Sequence, residues 1–152
     1  MGMGIKCLQA KLDNWGIQFF GAEELCRFRR WGEVVAPPLK LQDNIRDTVT
    51  LADEIRKRFG GPVRCSSGYR NYVYNKEVGG SPSSEHMAFR AMDIQPLEWS
   101  QQAMERLREI AVEVVGGSDL DARIIHYDKF IHIDTNAASW KTRNAEQLDS
   151  RS

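Results

Sequence analysis

The chain has 152 residues, 41% of them apolar and 28% charged, with 21 basic side chains balancing 21 acidic ones. A single domain of this length buries enough surface to fold without disulfides or a structural metal. A formal charge of zero with no dense Lys/Arg block removes the electrostatic footprint on which nucleic-acid binders depend. No apolar run approaches the roughly 18 residues that span a bilayer, and the N-terminal residues lack the apolar stretch of a signal peptide. The expectation is a monomer synthesised in the cytoplasm, with neither nucleic acid nor membrane as a partner. Cys7, Cys26 and Cys65 are far apart and free of C-x-x-C spacing, so they read as isolated thiols rather than a disulfide framework or a Cys-rich metal site.

In chain order, residues 2–21 have no clean period, although Leu8, Leu12 and Trp15 can line one side of a short helix. This stretch, residues 1–20, reads as an N-terminal extension. Over residues 22–31 acidic side chains come first and basic ones last, the order the helix dipole favours, and a short helix is expected there. Pro37-Pro38 then opens the most periodic segment, with Leu41, Ile45, Val49, Ala52, Ile55 and Phe59 on one stripe. Gly60-Gly61-Pro62 ends it. Residues 63–66 read as a short strand, 67–85 as a long loop rich in Gly, Ser and Asn, and 88–94 as a second strand. Ser100 is a candidate N-cap for a helix over 101–115 whose apolar residues again form one face. Residues 122–135 form two β-rich runs joined around Asp128-Lys129, the pattern of a hairpin. From Lys141 to residue 152 the chain is a polar tail. The order of elements predicts an α+β fold in which helices gather on one side of a small antiparallel sheet.

Chemistry concentrates in the second half, where all three histidines lie. In Phe130-Ile131-His132-Ile133-Asp134 the alternation of a strand sends His132 and Asp134 to one face and the isoleucines to the other. His86 ends the Gly/Ser loop, and Asp93 follows seven residues later on the expected strand. Two imidazoles and a carboxylate are the protein ligands of many catalytic zinc sites, whose fourth position stays open for water. There the metal acidifies water and polarises a carbonyl, as amide hydrolysis requires. This spacing alone is a weak signal.

Taken together the motifs are more specific. Ser67-Gly68-Tyr69-Arg70, Asn75, Gly79-Gly80, the S-x-H-x-x-x-x-A-x-D run from Ser84 to Asp93, and the run from Phe130 to Asp134 occur in this order between residues 67 and 134, and the likeness they carry spans roughly residues 20 to 140. The set resembles the M15 group of zinc peptidases: D-alanyl-D-alanine carboxypeptidases and L-alanyl-D-glutamate endopeptidases that cut peptidoglycan peptides. The Tyr-Asp-x-Phe-Ile-His phrase is similar to a phage and prophage branch. The resemblance implies a peptidase domain over residues 21–140, a Zn²⁺ cofactor held by His86, Asp93 and His132, and Arg70 orienting a carbonyl or carboxylate of a peptidoglycan stem peptide. It also implies an endolysin-like role, with action at the bacterial wall after release or as a virion component.

Two positions depart from the family pattern. Phe89 stands where relatives usually carry Gly, which implies a different chain path or pocket wall beside His86. Lys129 stands three residues before the last histidine, where many relatives place the catalytic carboxylate. Asp128 is the nearest carboxylate and His126 the fallback as general base, which must reach the attacking water. The alternative is a non-catalytic M15-like module that binds the wall or belongs to a virion. Asp134 reads as an orienting group for a ligand, Tyr69 and Tyr127 as pocket or core, and Trp15, Trp31, Trp99 and Trp140 as packing residues. No G-x-S-x-G elbow or H-E-x-x-H helix is present, so serine-hydrolase and thermolysin-like readings lack their signatures.

Overall fold

The periodic segment that follows Pro37-Pro38 is continuous in its packing but not in its helix type. In the computed structural model, which describes residues 2–136, it comprises α3 (Leu39–Gln42), a 3-10 turn (Asp43–Ile45) and α4 (Arg46–Phe59). Val49, Leu51, Ala52, Ile55 and Phe59 are buried along one face of α4. Gly60 closes the helix with φ +75°, the left-handed conformation that glycine adopts without a β-carbon clash. The second good helix, α6 (Gln101–Gly116), begins where Ser100 Oγ accepts the Ala103 N–H at 3.0 Å. Its buried residues are Met104, Leu107, Ala111 and Val114.

These two helices pack on one face of an antiparallel sheet made of β3 (Val63–Ser67), β4 (Ala91–Pro96), β5 (Ala122–His126) and β6 (Ile131–Thr135), in the order β3-β4-β6-β5. Met92, Ile94, Ile131 and Ile133 point into that contact and are fully buried. Thr48 of α4 reaches the same sheet, its Oγ1 donating to the Arg90 carbonyl at 2.7 Å. Strand alternation therefore commits one face of β4 and β6 to the core and leaves Asp93, His132 and Asp134 on the other. The fold is the α+β arrangement expected from the order of elements.

The remaining elements are α1 (Met3–Asn14), α2 (Ala22–Leu25), the two-residue strands β1 (Arg27–Phe28) and β2 (Glu33–Val34), and α5 (Tyr72–Glu77). Ile5, Leu8 and Leu12 of α1 join the core, and Gln9 Oε1 accepts the Ala22 N–H at 2.8 Å, which ties α1 to the start of α2.

The helix expected over 22–31 stops at Leu25 and gives way to a β1-β2 hairpin. The physical reason is an aromatic cluster far away in sequence. Phe28 is fully buried, stacks on Tyr74 at 4.3 Å and meets Trp31 edge-on at 5.5 Å. Arg30 N donates to Tyr74 Oη, and Trp31 Nε1 to Glu77 Oε2 at 2.8 Å. A continuous helix cannot present Phe28 and Trp31 to this cluster while Gly32 turns the chain at φ +67°, so tertiary packing overrides local charge order.

The loop after β3 contains α5, capped by Asn71 Oδ1, which accepts the Tyr74 N–H at 2.8 Å. The strand expected over 88–94 occupies 91–96 instead, because residues 85–89 form turns. Cys26 and Cys65 are buried free thiols and Cys7 is half-buried. Trp15 and Trp31 pack against the core. The polar tail and Trp140 lie outside the described residues.

Candidate metal and substrate site

Asp93 and His132 are partners in the β4-β6 register, so their side chains rise from the same face. His132 Nδ1 lies 2.9 Å from Asp93 Oδ1. His86 comes to the same carboxylate from the turn preceding β4, with Nε2 3.3 Å from Oδ1. One candidate ligand atom from each of the three residues lies within 4.8 Å of the others. The triad stands in an open cleft of about 590 Å³ whose walls include Arg70, Gly80, Ser84, Arg123, Tyr127 and Phe130.

The second nitrogen of each ring is also engaged. His86 Nδ1 lies 2.7 Å from the Gly68 carbonyl, and His132 Nε2 lies 2.7 Å from Asp134 Oδ2. A neutral imidazole has one N–H. Gly68 O and the ionised Asp134 can only accept, so the network assigns that hydrogen to the outer nitrogen of each ring. His86 Nε2 and His132 Nδ1 are then lone pairs aimed at one anionic oxygen. Three such atoms repel unless two protons or a dication lie between them. Two imidazole nitrogens and a carboxylate oxygen, each ring held from behind by an acceptor, match the donor set and supporting hydrogen bonds of a tetrahedral cation site with one open position.

The electrostatics point the same way. Burial pushes the Asp93 carboxyl upward, but the His132 and His86 rings that face it outweigh burial and hold the group well below the usual carboxylate range. Burial lowers His86, and Asp93 restores only part of the shift, which favours the neutral ring a metal ligand must have.

Arg70 is brought to this centre by backbone and side chain alike. Its N–H donates to the His86 carbonyl at 3.1 Å, joining the Ser67–Arg70 run to the histidine turn. Its Nε donates to Ser67 Oγ at 3.0 Å and its Nη1 to Asn75 Oδ1 at 3.1 Å, while Nη2 stands 3.6 Å from Asp93 Oδ2. Asn75 is buried and also donates to the Ser81 carbonyl, so one amide couples the guanidinium to the glycine-serine loop. A β-carbon on Gly80 would collide with Asn75 Oδ1, which explains the glycine there.

The two candidate bases are placed differently from the triad and from each other. His126 pairs with Ile131, which puts it on the opposite sheet face from His132, and it is exposed. Asp128 and Lys129 form the hairpin turn closed by Tyr127 N donating to Phe130 O at 3.0 Å. Asp128 is exposed and is not among the residues that line the cleft, whereas Tyr127 and Phe130 on either side of the turn stack at 4.7 Å and do line it. Lys129 Nζ lies over the Trp99 ring, 4.2 Å from its centroid. Phe89 takes φ +57°, the region glycine enters most readily, and is fully buried against Tyr69. Tyr69 belongs to the core and Tyr127 to the cleft.

Arg123 carries no signal in the sequence, yet it is the register partner of Asp134 and donates to Asp134 Oδ2 through Nη2 at 2.7 Å. Only the strand pairing reveals it.

Among solved structures, the L-Ala D-Glu endopeptidase ChiX of Serratia marcescens is similar in fold: TM-score 0.52 at 12% identity, over 85% of this chain and 98% of that one. No curated protein matches the chain. The family model described as Peptidase M15 matches residues 18–134, a span that runs from the segment before α2 to Asp134 and contains every residue of the cleft described above. The chain belongs to the Peptidase M15 family.

Proposed function

We propose that the chain is a zinc-dependent peptidase that hydrolyses peptide bonds in peptidoglycan stem peptides. One observation carries the reading: two imidazole lone pairs and an ionised carboxylate converge in an open cleft, with a half-buried arginine beside them. Membership of a peptidase family and likeness in fold to an L-Ala D-Glu endopeptidase support the substrate class. His86, Asp93 and His132 would hold the metal. Zinc, when bound, supplies Lewis-acid polarisation of a peptide carbonyl and acidifies a water.

The chain's own residues perform the remaining tasks. Arg70, fixed through Nε and Nη1, presents its guanidinium edge to a substrate carbonyl or carboxylate. Asp128 Oδ moves the proton from water to the departing amine, entering the cleft from the hairpin turn; His126, on the far face, is the weaker candidate. The endolysin-like role, with action at the wall after release or as a virion component, belongs to the same reading. Among the described residues no helix is long and apolar enough to cross a membrane.

The test is zinc stoichiometry together with release of new amino termini from cell-wall sacculi, measured beside His132→Ala. The expected result is stoichiometric zinc and cleavage, both lost in the variant. Lys129 at the position where many relatives carry a carboxylate, turned onto Trp99, favours a second reading, a wall-binding module. Zinc without cleavage would select that reading, and absence of zinc would overturn both the peptidase and the zinc-loaded form of the module.

A further inference from the structure

Asp134 is fully buried, and a buried carboxylate is stable only when a cation and hydrogen bonds compensate its lost hydration. Its Oδ2 lies 2.7 Å from His132 Nε2 and accepts from Arg123 Nη2 at 2.7 Å and Arg123 Nε at 3.2 Å. Arg123 lies on the edge strand β5 directly opposite Asp134 in the β5-β6 register, and 41% of its side chain is exposed. It therefore closes the outer end of a line that runs Arg123, Asp134, His132, Asp93. His132 has carboxylate oxygens on both sides, 2.9 Å at Nδ1 and 2.7 Å at Nε2, so the position of its proton is a competition between Asp93 and Asp134.

The geometry points to Arg123 as a positioning residue that, by holding the Asp134 carboxylate oriented, keeps the His132 proton on Nε2 and reserves Nδ1 for the metal. This assignment rests on the metal reading above. Arg123 suits the role because its fork grips one carboxylate oxygen with two donors, which fixes the direction of the oxygen's remaining lone-pair density. A lysine at 123 would keep the charge with one donor nitrogen. A neutral amide would remove the two-donor grip on Oδ2, leaving the carboxylate less firmly oriented and His132 free to place its proton towards Asp93. Supporting hydrogen bonds of this kind are typically worth roughly 10- to 100-fold in metal affinity.

The experiment combines ¹⁵N spectroscopy of the histidine rings in the metal-free protein at about pH 8.5, where an ordinary histidine is neutral, with zinc affinity by chelator competition. Wild type, Arg123→Gln and Arg123→Lys are compared. The expected result is a wild-type His132 protonated at Nε2, a mixed or reversed tautomer in Arg123→Gln with zinc binding weakened about tenfold or more, and recovery of the Nε2 tautomer in Arg123→Lys. A wild-type ring protonated at Nδ1 overturns the assignment, and this measurement stands even if Arg123→Gln fails to fold. An Arg123→Gln protein with unchanged tautomer and unchanged affinity also overturns it. Should wild type bind no zinc, the metal reading fails by itself, and the tautomer comparison still decides the role of Arg123.

Discussion

Gly68 lies against the Leu25 carbonyl so closely that a β-carbon would collide with that oxygen, and its own carbonyl meets His86 Nδ1 at 2.7 Å. The next residue continues the contact, since Tyr69 N donates to the same Leu25 oxygen at 2.8 Å. The missing side chain thus lets the chain leaving β3 pass the end of α2 at the height needed to support a ligand ring. This glycine is required by close approach of two backbones rather than by an unusual φ.

Gly68→Ala should therefore injure the site through the fold. Forcing a methyl group against backbone costs about 1–3 kcal/mol, and the displaced carbonyl no longer fixes His86. Urea unfolding should show a lower midpoint, and chelator competition a weaker zinc affinity. An unchanged midpoint and affinity would contradict the close-approach explanation.

The candidate ligand cluster is the legible part of this protein, and the reason is periodicity. Alternation in Ile131-His132-Ile133-Asp134 separates core from cleft without any tertiary information, and the S-x-H run supplies the other two groups in order. Residues 22–31 mislead because their charges satisfy a helix dipole, whereas Phe28 and Trp31 are captured by Tyr74 some 45 residues downstream. Arg123 is illegible for a related reason: an arginine in a β-rich run looks like a solvated side chain until the register sets it beside Asp134. Phe89 illustrates a third limit, since nothing local indicates that a phenylalanine will accept a positive φ.

Phe89→Gly should destabilise the protein despite relieving that backbone. A non-glycine residue in the left-handed region costs roughly 1–2 kcal/mol, but removing a fully buried phenylalanine ring costs about 3–5 kcal/mol for the comparable Phe→Ala change. The cavity wins by about 2 kcal/mol. Equilibrium unfolding decides the matter, and a variant more stable than wild type would show that strain at this position outweighs the packing of Phe89 on Tyr69.

Arg70→Lys should reduce kcat/KM by on the order of 100-fold while leaving zinc affinity within about threefold. A single ammonium cannot keep the contacts to Ser67 and Asn75 and still present an edge to the substrate. Amino-terminus release from sacculi measures the first quantity and chelator competition the second. Loss of zinc instead of activity would recast Arg70 as support for Asp93.

The stability of the metal-free protein should fall in acid, in a direction set by two groups. Burial holds His86 below its ordinary range, so as pH drops through about 6.5 the unfolded chain takes up a proton that the folded ring refuses. At Asp93 burial opposes ionisation, but the neighbouring His132 and His86 rings keep the carboxyl depressed, so a further loss follows below about pH 4. In both cases the unfolded state binds more protons, and stability rises with pH. Denaturant midpoints at about pH 7.5 and about pH 5 should differ in wild type, and the difference should shrink in His86→Gln. Equal wild-type midpoints would show that the folded ring protonates as readily as the unfolded one.

The two candidate bases separate by the parity of a strand. His126 faces away from His132 because its register partner is Ile131, so no rotamer carries its ring through the sheet, and His126→Gln should keep kcat within about twofold. Asp128 sits in the turn between two cleft-lining aromatics, Tyr127 and Phe130. Arg108 Nη2 meanwhile pins the turn by donating to the carbonyls of Tyr127 and Asp128 at 2.7 and 3.2 Å. Asp128→Asn should lower kcat by on the order of 100-fold or more, with zinc stoichiometry unchanged. Kinetics of the two variants on the same sacculi, beside their zinc content, give the comparison. If Asp128→Asn retains full activity, the proton is moved by another group in the cleft and the hairpin turn serves only to frame the substrate.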